Sequence, residues 1–124
     1  MRANDRSLPS DLPPQLLIDG EWVDAEASRT FDVINPATEK PLVAIADASV
    51  DQGTDALDAA VRAQHSWADT APRERAEILR KTFHLVTERK DDFARLMTLE
   101  MGKPLAESYG EVTYGSEFLR WFSE

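Results

Sequence analysis

The sequence predicts an open α+β arrangement, short antiparallel strands followed by about four helices, and three observations carry it. Turn chemistry at Asp19-Gly20 and Asn35-Pro36 separates short apolar runs. After Ser49 the apolar spacing changes to the three-and-four pattern of helices. The helices then carry apolar faces that so few strands cannot cover, so a sheet outside these residues is expected.

Residues 1–15 are polar, carry Pro9, Pro13 and Pro14 and show no period, which predicts a mobile arm. Leu16-Leu17-Ile18 and Trp22-Val23 flank Asp19-Gly20, two residues that tolerate the positive φ of a primed hairpin turn. Phe31, Val33 and Ile34 before Asn35-Pro36, then Leu42-Val43-Ala44-Ile45 after Lys40-Pro41, predict a second pair of strands.

Ser49-Val50-Asp51-Gln52 fits a capping box, in which serine accepts from an early backbone N–H and glutamine reaches back. Val50, Leu57, Val61 and Ala68, with Ala60 and Trp67 beside them, form the expected buried stripe of a helix reaching about Thr70. Pro72 suits the first turn of a second helix and Glu74 the positive end of its dipole, with Ile78, Leu79, Phe83 and Val86 as its stripe. A short third helix from about Glu88 uses Phe93, Leu96 and Met97, and Gly102 with Pro104 stops it. The fourth follows at once through Leu105, Tyr109, Val112, Leu119 and Phe122 and meets no stop signal. Trp121 and Phe122 are therefore expected to need a partner surface beyond these residues, and the sequence reads as truncated.

Length and 42% hydrophobic residues allow one modest domain or part of one. The net charge is -9; residues 1–70 hold five Lys/Arg against thirteen Asp/Glu and residues 71–124 nine against ten. Neither half offers the positive footprint of a nucleic-acid reader. No apolar run approaches the ~18 residues of a membrane span, and Met1-Arg2-Ala3-Asn4-Asp5 leads into no secretory core, so a cytoplasmic chain is expected. With no cysteine, disulfides, thiolate metal sites and a cysteine nucleophile are excluded within these residues.

His65 and His84 lie in different helices without carboxylate partners at ligand spacing and read as surface or packing residues. Asp91 and Asp92 point about 100° apart on a helix and cannot converge on one bond. The glycines form no phosphate loop. Gly110 and Gly115, each costing about 1 kcal/mol inside a helix relative to alanine, suggest a close backbone approach, a cavity wall or packing through small residues.

Four segments in register resemble the aldehyde dehydrogenase superfamily: Leu17-Ile18-Asp19-Gly20-Glu21-Trp22, Phe31-Asp32-Val33-Ile34-Asn35-Pro36-Ala37-Thr38, Arg73-Glu74-Arg75-Ala76-Glu77-Ile78-Leu79-Arg80 and Leu99-Glu100-Met101-Gly102-Lys103-Pro104. The likeness runs over residues 16–124. The stretch from Leu96 to Glu107, with Phe118, Trp121 and Phe122, is most similar to the succinate-semialdehyde type, although Met101 stands where many of that subgroup carry glutamine.

The resemblance implies an α/β fold, with residues 16–124 as the opening part of a Rossmann-like cofactor-binding domain. It implies oxidation of a small semialdehyde, succinate semialdehyde first, with NAD or NADP bound outside these residues, in a homo-oligomer without nucleic-acid or membrane partners. In the family a cysteine thiolate attacks the aldehyde, an asparagine amide and a backbone N–H hold the oxyanion, hydride passes to the nicotinamide, and a glutamate activates the hydrolytic water. All three side chains lie beyond this stretch, so these residues alone are expected to be inert. By position, the resemblance also implies a monovalent cation held by the Val33 and Ile34 carbonyls and the Glu100 carboxylate, where the family usually has aspartate, with a further ligand from outside these residues. It places Tyr114, Gly115 and Phe118 along an aldehyde tunnel. The rivals to the enzyme reading are a non-catalytic interaction piece and a gene remnant.

Overall fold

The computed structural model describes Leu8, Pro9 and residues 12–124. Two separate two-stranded sheets precede four helices. Strand β1 (Leu16–Ile18) pairs antiparallel with β2 (Glu21–Val23), Leu16 opposite Val23 and Ile18 opposite Glu21. Asp19 and Gly20 between them hold φ of 52° and 82°, the left-handed pair that a tight primed turn requires. A short 3-10 turn (Glu26–Ser28), which the sequence did not announce, then places Ala27 and Ser28 at positive φ.

Strand β3 (Thr30–Asn35) pairs antiparallel with β4 (Lys40–Ala46). Asn35 organises their turn: its Oδ1 accepts from Ala37 N at 2.9 Å, and its carbonyl accepts from Thr38 N at 3.2 Å and Glu39 N at 2.8 Å. The register slips between Val33 and Ile34, because Val33 faces Val43 while Ile34 faces Pro41. Such a slip is a bulge, and bulges re-aim the backbone groups beside them.

Helix α1 (Val50–Asp69) starts on the expected capping box, with Gln52 N donating to Ser49 Oγ at 3.1 Å and Ser49 N to Gln52 Oε1 at 3.2 Å. Gln52 does a second job. Its Oε1 also accepts from Glu26 N at 3.0 Å and its Nε2 donates to the Asp24 carbonyl at 3.0 Å, which fastens the helix start to the chain before β3. At the other end Arg75 Nη1 donates to the carbonyls of Trp67 and Ala68 at 3.3 and 3.1 Å, adding to the Thr70 N–H that Trp67 already accepts and capping the last turn.

Helix α2 (Pro72–Glu88) begins at the expected proline, and α3 (Lys90–Met101) ends on Gly102 at φ 74°. Helix α4 (Leu105–Ser123) packs against both α2 and α3. Its inner face is narrow and small: Ser108, Val112 and Ser116 are buried, as are Ala94 and Leu99 of α3. Small side chains let helix backbones come close, and polar ones need partners there. Thr98 Oγ1 and Ser108 Oγ meet at 2.9 Å, and at the rim Lys90 Nζ donates to Thr113 Oγ1 at 2.7 Å.

The stripe expected to bury α1 is instead bare. Leu57 is 63% exposed, Val50, Val61 and Trp67 are also exposed, and only Ala59 of that helix is buried. An apolar period identifies the face of a helix that suits a cover, and among the described residues nothing covers this one. The same holds on α4, where Trp121 and Phe122 are 70% and 71% exposed. Gly110 and Gly115 do not mark a close approach within the chain either, since a Cβ on either would meet nothing within 4 Å.

Pro9, Leu12 and Pro13 border a shallow pocket with Arg89, Asp92, Phe93 and Leu96 of the α3 region. The Pro14 carbonyl accepts from Ala46 N at 2.8 Å. Residues 1–7, 10 and 11, where most of the expected arm falls, lie outside the described residues.

Candidate functional site

The residues singled out in the sequence lie on two parts of the fold. The first is a corner where β3 meets α3. Val33 is half-buried and Ile34 exposed on the strand, and Glu100 is exposed on the last turn of α3. Ile34 faces Pro41, which has no backbone N–H, so no hydrogen bond from that opposing residue reaches the Ile34 carbonyl. The Glu100 carboxylate makes no hydrogen bond or ion pair among the described residues. The last turn of α3 carries no basic side chain, so the carboxylate stands unneutralised at the negative end of the helix dipole. The nearby Lys103 is engaged elsewhere, in an ion pair with Glu111. A carboxylate and carbonyl oxygens are donor types that suit a hard cation of low charge. Among the described residues no group of three His, Cys, Asp or Glu could hold a metal, so such an ion would depend on backbone oxygens.

Sequence reasoning missed what joins the two halves of this corner. A Cβ built on Gly102 would stand 2.9 Å from Cγ of Pro36. Gly102 was legible as a helix stop and Pro36 as a turn residue, but their contact spans sixty-six positions and leaves no local signal.

The second place is the outer face of α4. Tyr114 and Phe118 pack edge to face, ring centres 5.1 Å apart and planes at 87°. With Glu117, Trp121 and Phe122 they line an open groove of about 360 Å³. Gly115 is exposed on the same helix and does not line that groove. The groove walls are almost wholly aromatic, and Glu117 is held by Arg120 Nη2 at 2.6 Å. Its one carboxylate is thus engaged by Arg120, and no Ser, Cys or His lines it.

The remaining titratable groups are structural in geometry. His65 and His84 are exposed on α1 and α2, far apart in sequence. The Tyr109 hydroxyl donates to Asp91 Oδ1 at 2.9 Å, and this bond, then burial, then the Asp91 charge, raises its pKa above the ordinary phenol range. Asp91 is thereby engaged with α4, and Asp92 pairs with Arg89 at 3.5 Å. Glu77 is held below the usual carboxylate range, first by its hydrogen bond to Arg80 and then by the Arg80 charge. Among the described residues no helix is long and apolar enough to cross a membrane.

A sequence model of the aldehyde dehydrogenase family matches residues 22–124. Over all 124 residues the chain is 46% identical to the succinate-semialdehyde dehydrogenase [NADP(+)] GabD of Escherichia coli, covering 25% of that protein. It is 66% identical over 83 residues, 67% of this chain and 18% of the relative, to a succinate-semialdehyde dehydrogenase of Paenarthrobacter nicotinovorans. Among solved structures, an aldehyde dehydrogenase from Brucella melitensis superposes with a TM-score of 0.88 at 42% identity, over 99% of this chain and 25% of that one. The chain thus spans about a quarter or less of the relatives it matches. The expected strands-then-helices order and the Rossmann-like family fold both stand, and the chain belongs to the aldehyde dehydrogenase family.

Proposed function

We propose that these residues form the opening part of the cofactor-binding domain of an NAD(P)-dependent semialdehyde dehydrogenase, with succinate semialdehyde as the first-choice substrate. The observation that carries this reading is the pair of bare apolar faces on α1 and α4 in a chain that matches a quarter of its relatives. Faces of that width are covered in stable soluble proteins. A dinucleotide-binding sheet and a catalytic domain are the natural cover. The named specificity of the relatives supports the substrate class.

In this reading the 124 residues supply scaffold and a stretch of tunnel wall, not the reacting groups. They hold no cysteine, so the thioester chemistry of the family needs a thiolate from elsewhere, and the isolated chain is inert. Tyr114 and Phe118 shape the aldehyde path through their edge-to-face pair, with Gly115 leaving room beside them. The β3–α3 corner holds a monovalent cation through the Val33 and Ile34 carbonyls and Glu100. Its unpaired carboxylate and proline-faced carbonyl support that assignment. The assembled enzyme is a cytoplasmic homo-oligomer acting on a small aldehyde.

The test is a joined enzyme: this chain fused at the matching position to the downstream part of the Escherichia coli relative. Formation of reduced nicotinamide from succinate semialdehyde by the joined enzyme, and none by the chain alone, is expected. Turnover by the 124 residues alone, or a folded joined enzyme that ignores semialdehydes, would contradict the reading.

A further inference from the structure

The contacts between elements sort the fold into two units. Helix α1 packs on β1 and is tied to the first hairpin by Arg62 and Asp19 at 3.2 Å and by the Gln52 bonds, whereas α2 and α3 pack on α4 and β3 packs on α3. Residues 12–28 and 47–70 make the first unit, residues 29–46 and 71–124 the second, and the chain crosses between them at 28–29, 46–47 and 70–71.

The hydrogen bonds that join the units through described residues lie at these crossings. Two crossings run side by side, where Asp47 N donates to the Arg29 carbonyl at 2.9 Å and Arg29 Nη2 to the Asp47 carbonyl at 3.4 Å. The bond from Ala46 N to the Pro14 carbonyl sits beside them, and the Arg75 bonds to Trp67 and Ala68 span the third crossing. Bonds gathered at chain crossings fix a seam and leave rotation about it cheap, which is the anatomy of a hinge.

Leu12 and Pro13 reach beyond that seam. They share a pocket of about 130 Å³ with Phe93 and Leu96 of α3, and Leu12 is half-buried. The rings of Pro13 and Pro14 fix the backbone φ, so the step from the seam to α3 is stiff. Gln15 Nε2 donates to Asp24 Oδ1 at 2.8 Å and anchors the near end of this segment to the first unit.

We propose that Leu12 and Pro13 form a latch that clamps the first hairpin and α1 onto α3, and that its release lets this unit turn about the Arg29–Asp47 seam. A closed latch holds the bare faces of α1 and α4 in one fixed arrangement, whatever covers them. An open latch leaves α1 free to swing while the packing of α2, α3 and α4 persists.

The chain has no cysteine, so pairs of spin labels can be placed cleanly. Asp58→Cys with Lys81→Cys marks exposed positions of α1 and α2 and spans the units, and Lys81→Cys with Glu107→Cys marks α2 and α4 within the second unit. Pulsed double electron–electron resonance on the full chain gives the distance distribution of each pair. With Leu12 intact, both distributions are expected to be narrow. Leu12→Ser is expected to widen the α1–α2 distribution at least twofold and to leave the α2–α4 distribution unchanged, with Leu12→Ala between the two. If Leu12→Ser loses the parent's circular dichroism, the milder Leu12→Ala decides by the same selective widening. An α1–α2 distribution already broad in the parent, one that the folded variants leave as narrow as before, or equal widening of both pairs would overturn the latch.

Discussion

Thr98 Oγ1 and Ser108 Oγ face each other at 2.9 Å between α3 and α4, and Ser108 has no exposed surface at all. Ser108 is the most deeply buried polar residue among the described residues, and this bond joins α4 to α3. Ser108→Ala strands the half-buried Thr98 hydroxyl and is expected to cost about 1 kcal/mol. Ser108→Leu forces the helices apart and is expected to cost about 1–3 kcal/mol. Urea unfolding checks both through a lowered midpoint at unchanged slope.

Glu39 occupies the left-handed region at φ 58° in the β3–β4 turn. A side chain there costs about 1–2 kcal/mol, and glycine returns part of that, about 0.4–1 kcal/mol, through its freer unfolded chain. Glu39→Gly is therefore expected to stabilise by roughly 0.5–1 kcal/mol, read as a raised midpoint in the same urea experiment. A lowered midpoint would show that the Glu39 side chain holds the turn.

Tyr109 joins α4 to Asp91 through its hydroxyl, and its pKa is raised by that bond first. Its neutral form is the one the fold favours. The stabilisation is complete below the unfolded phenol value of about 10 and fades as pH climbs through the higher folded value. A difference titration of phenolate absorbance, parent minus Tyr109→Phe, is expected to place Tyr109 above an ordinary phenol. Asp91→Asn in the parent is expected to move it back down. Glu77 runs the other way: Arg80 depresses its pKa, so its contribution is present above the ordinary carboxylate value and lost as pH falls through the folded one.

Trp121 and Phe122 stand free of the chain's own core. Changing both to glutamine is expected to leave stability within about 0.5 kcal/mol, as for surface substitutions generally, while lowering the binding of an apolar fluorescent dye. A large loss of stability would mean that the rings pack internally in solution.

The elements were readable because each boundary has a local chemical cause. Asp19 and Gly20 take the positive φ that their turn needs, Ser49 and Gln52 close a capping box, Pro72 opens α2, and Gly102 takes the left-handed stop. The 3-10 turn was not readable, because Ala27 and Ser28 hold positive φ against their own preference and only their surroundings impose it. Burial was not readable either. Leu57, Val61 and Trp67 have the spacing of a core face, yet spacing says nothing of whether the covering element is present. The candidate site divides in the same way: Val33, Ile34 and Glu100 came from resemblance, whereas the close approach of Pro36 to Gly102 exists only in three dimensions.

The central claim is that the bare faces of α1 and α4 are made to be covered by the rest of a dehydrogenase. Acrylamide quenching of a variant retaining only Trp121, with Trp22 and Trp67 changed to phenylalanine, tests it most directly. The account expects Trp121 to be freely quenched in the 124-residue chain and shielded once the chain is joined to the downstream part of the Escherichia coli relative. Equal quenching in the two forms, with the joined enzyme folded, would contradict it.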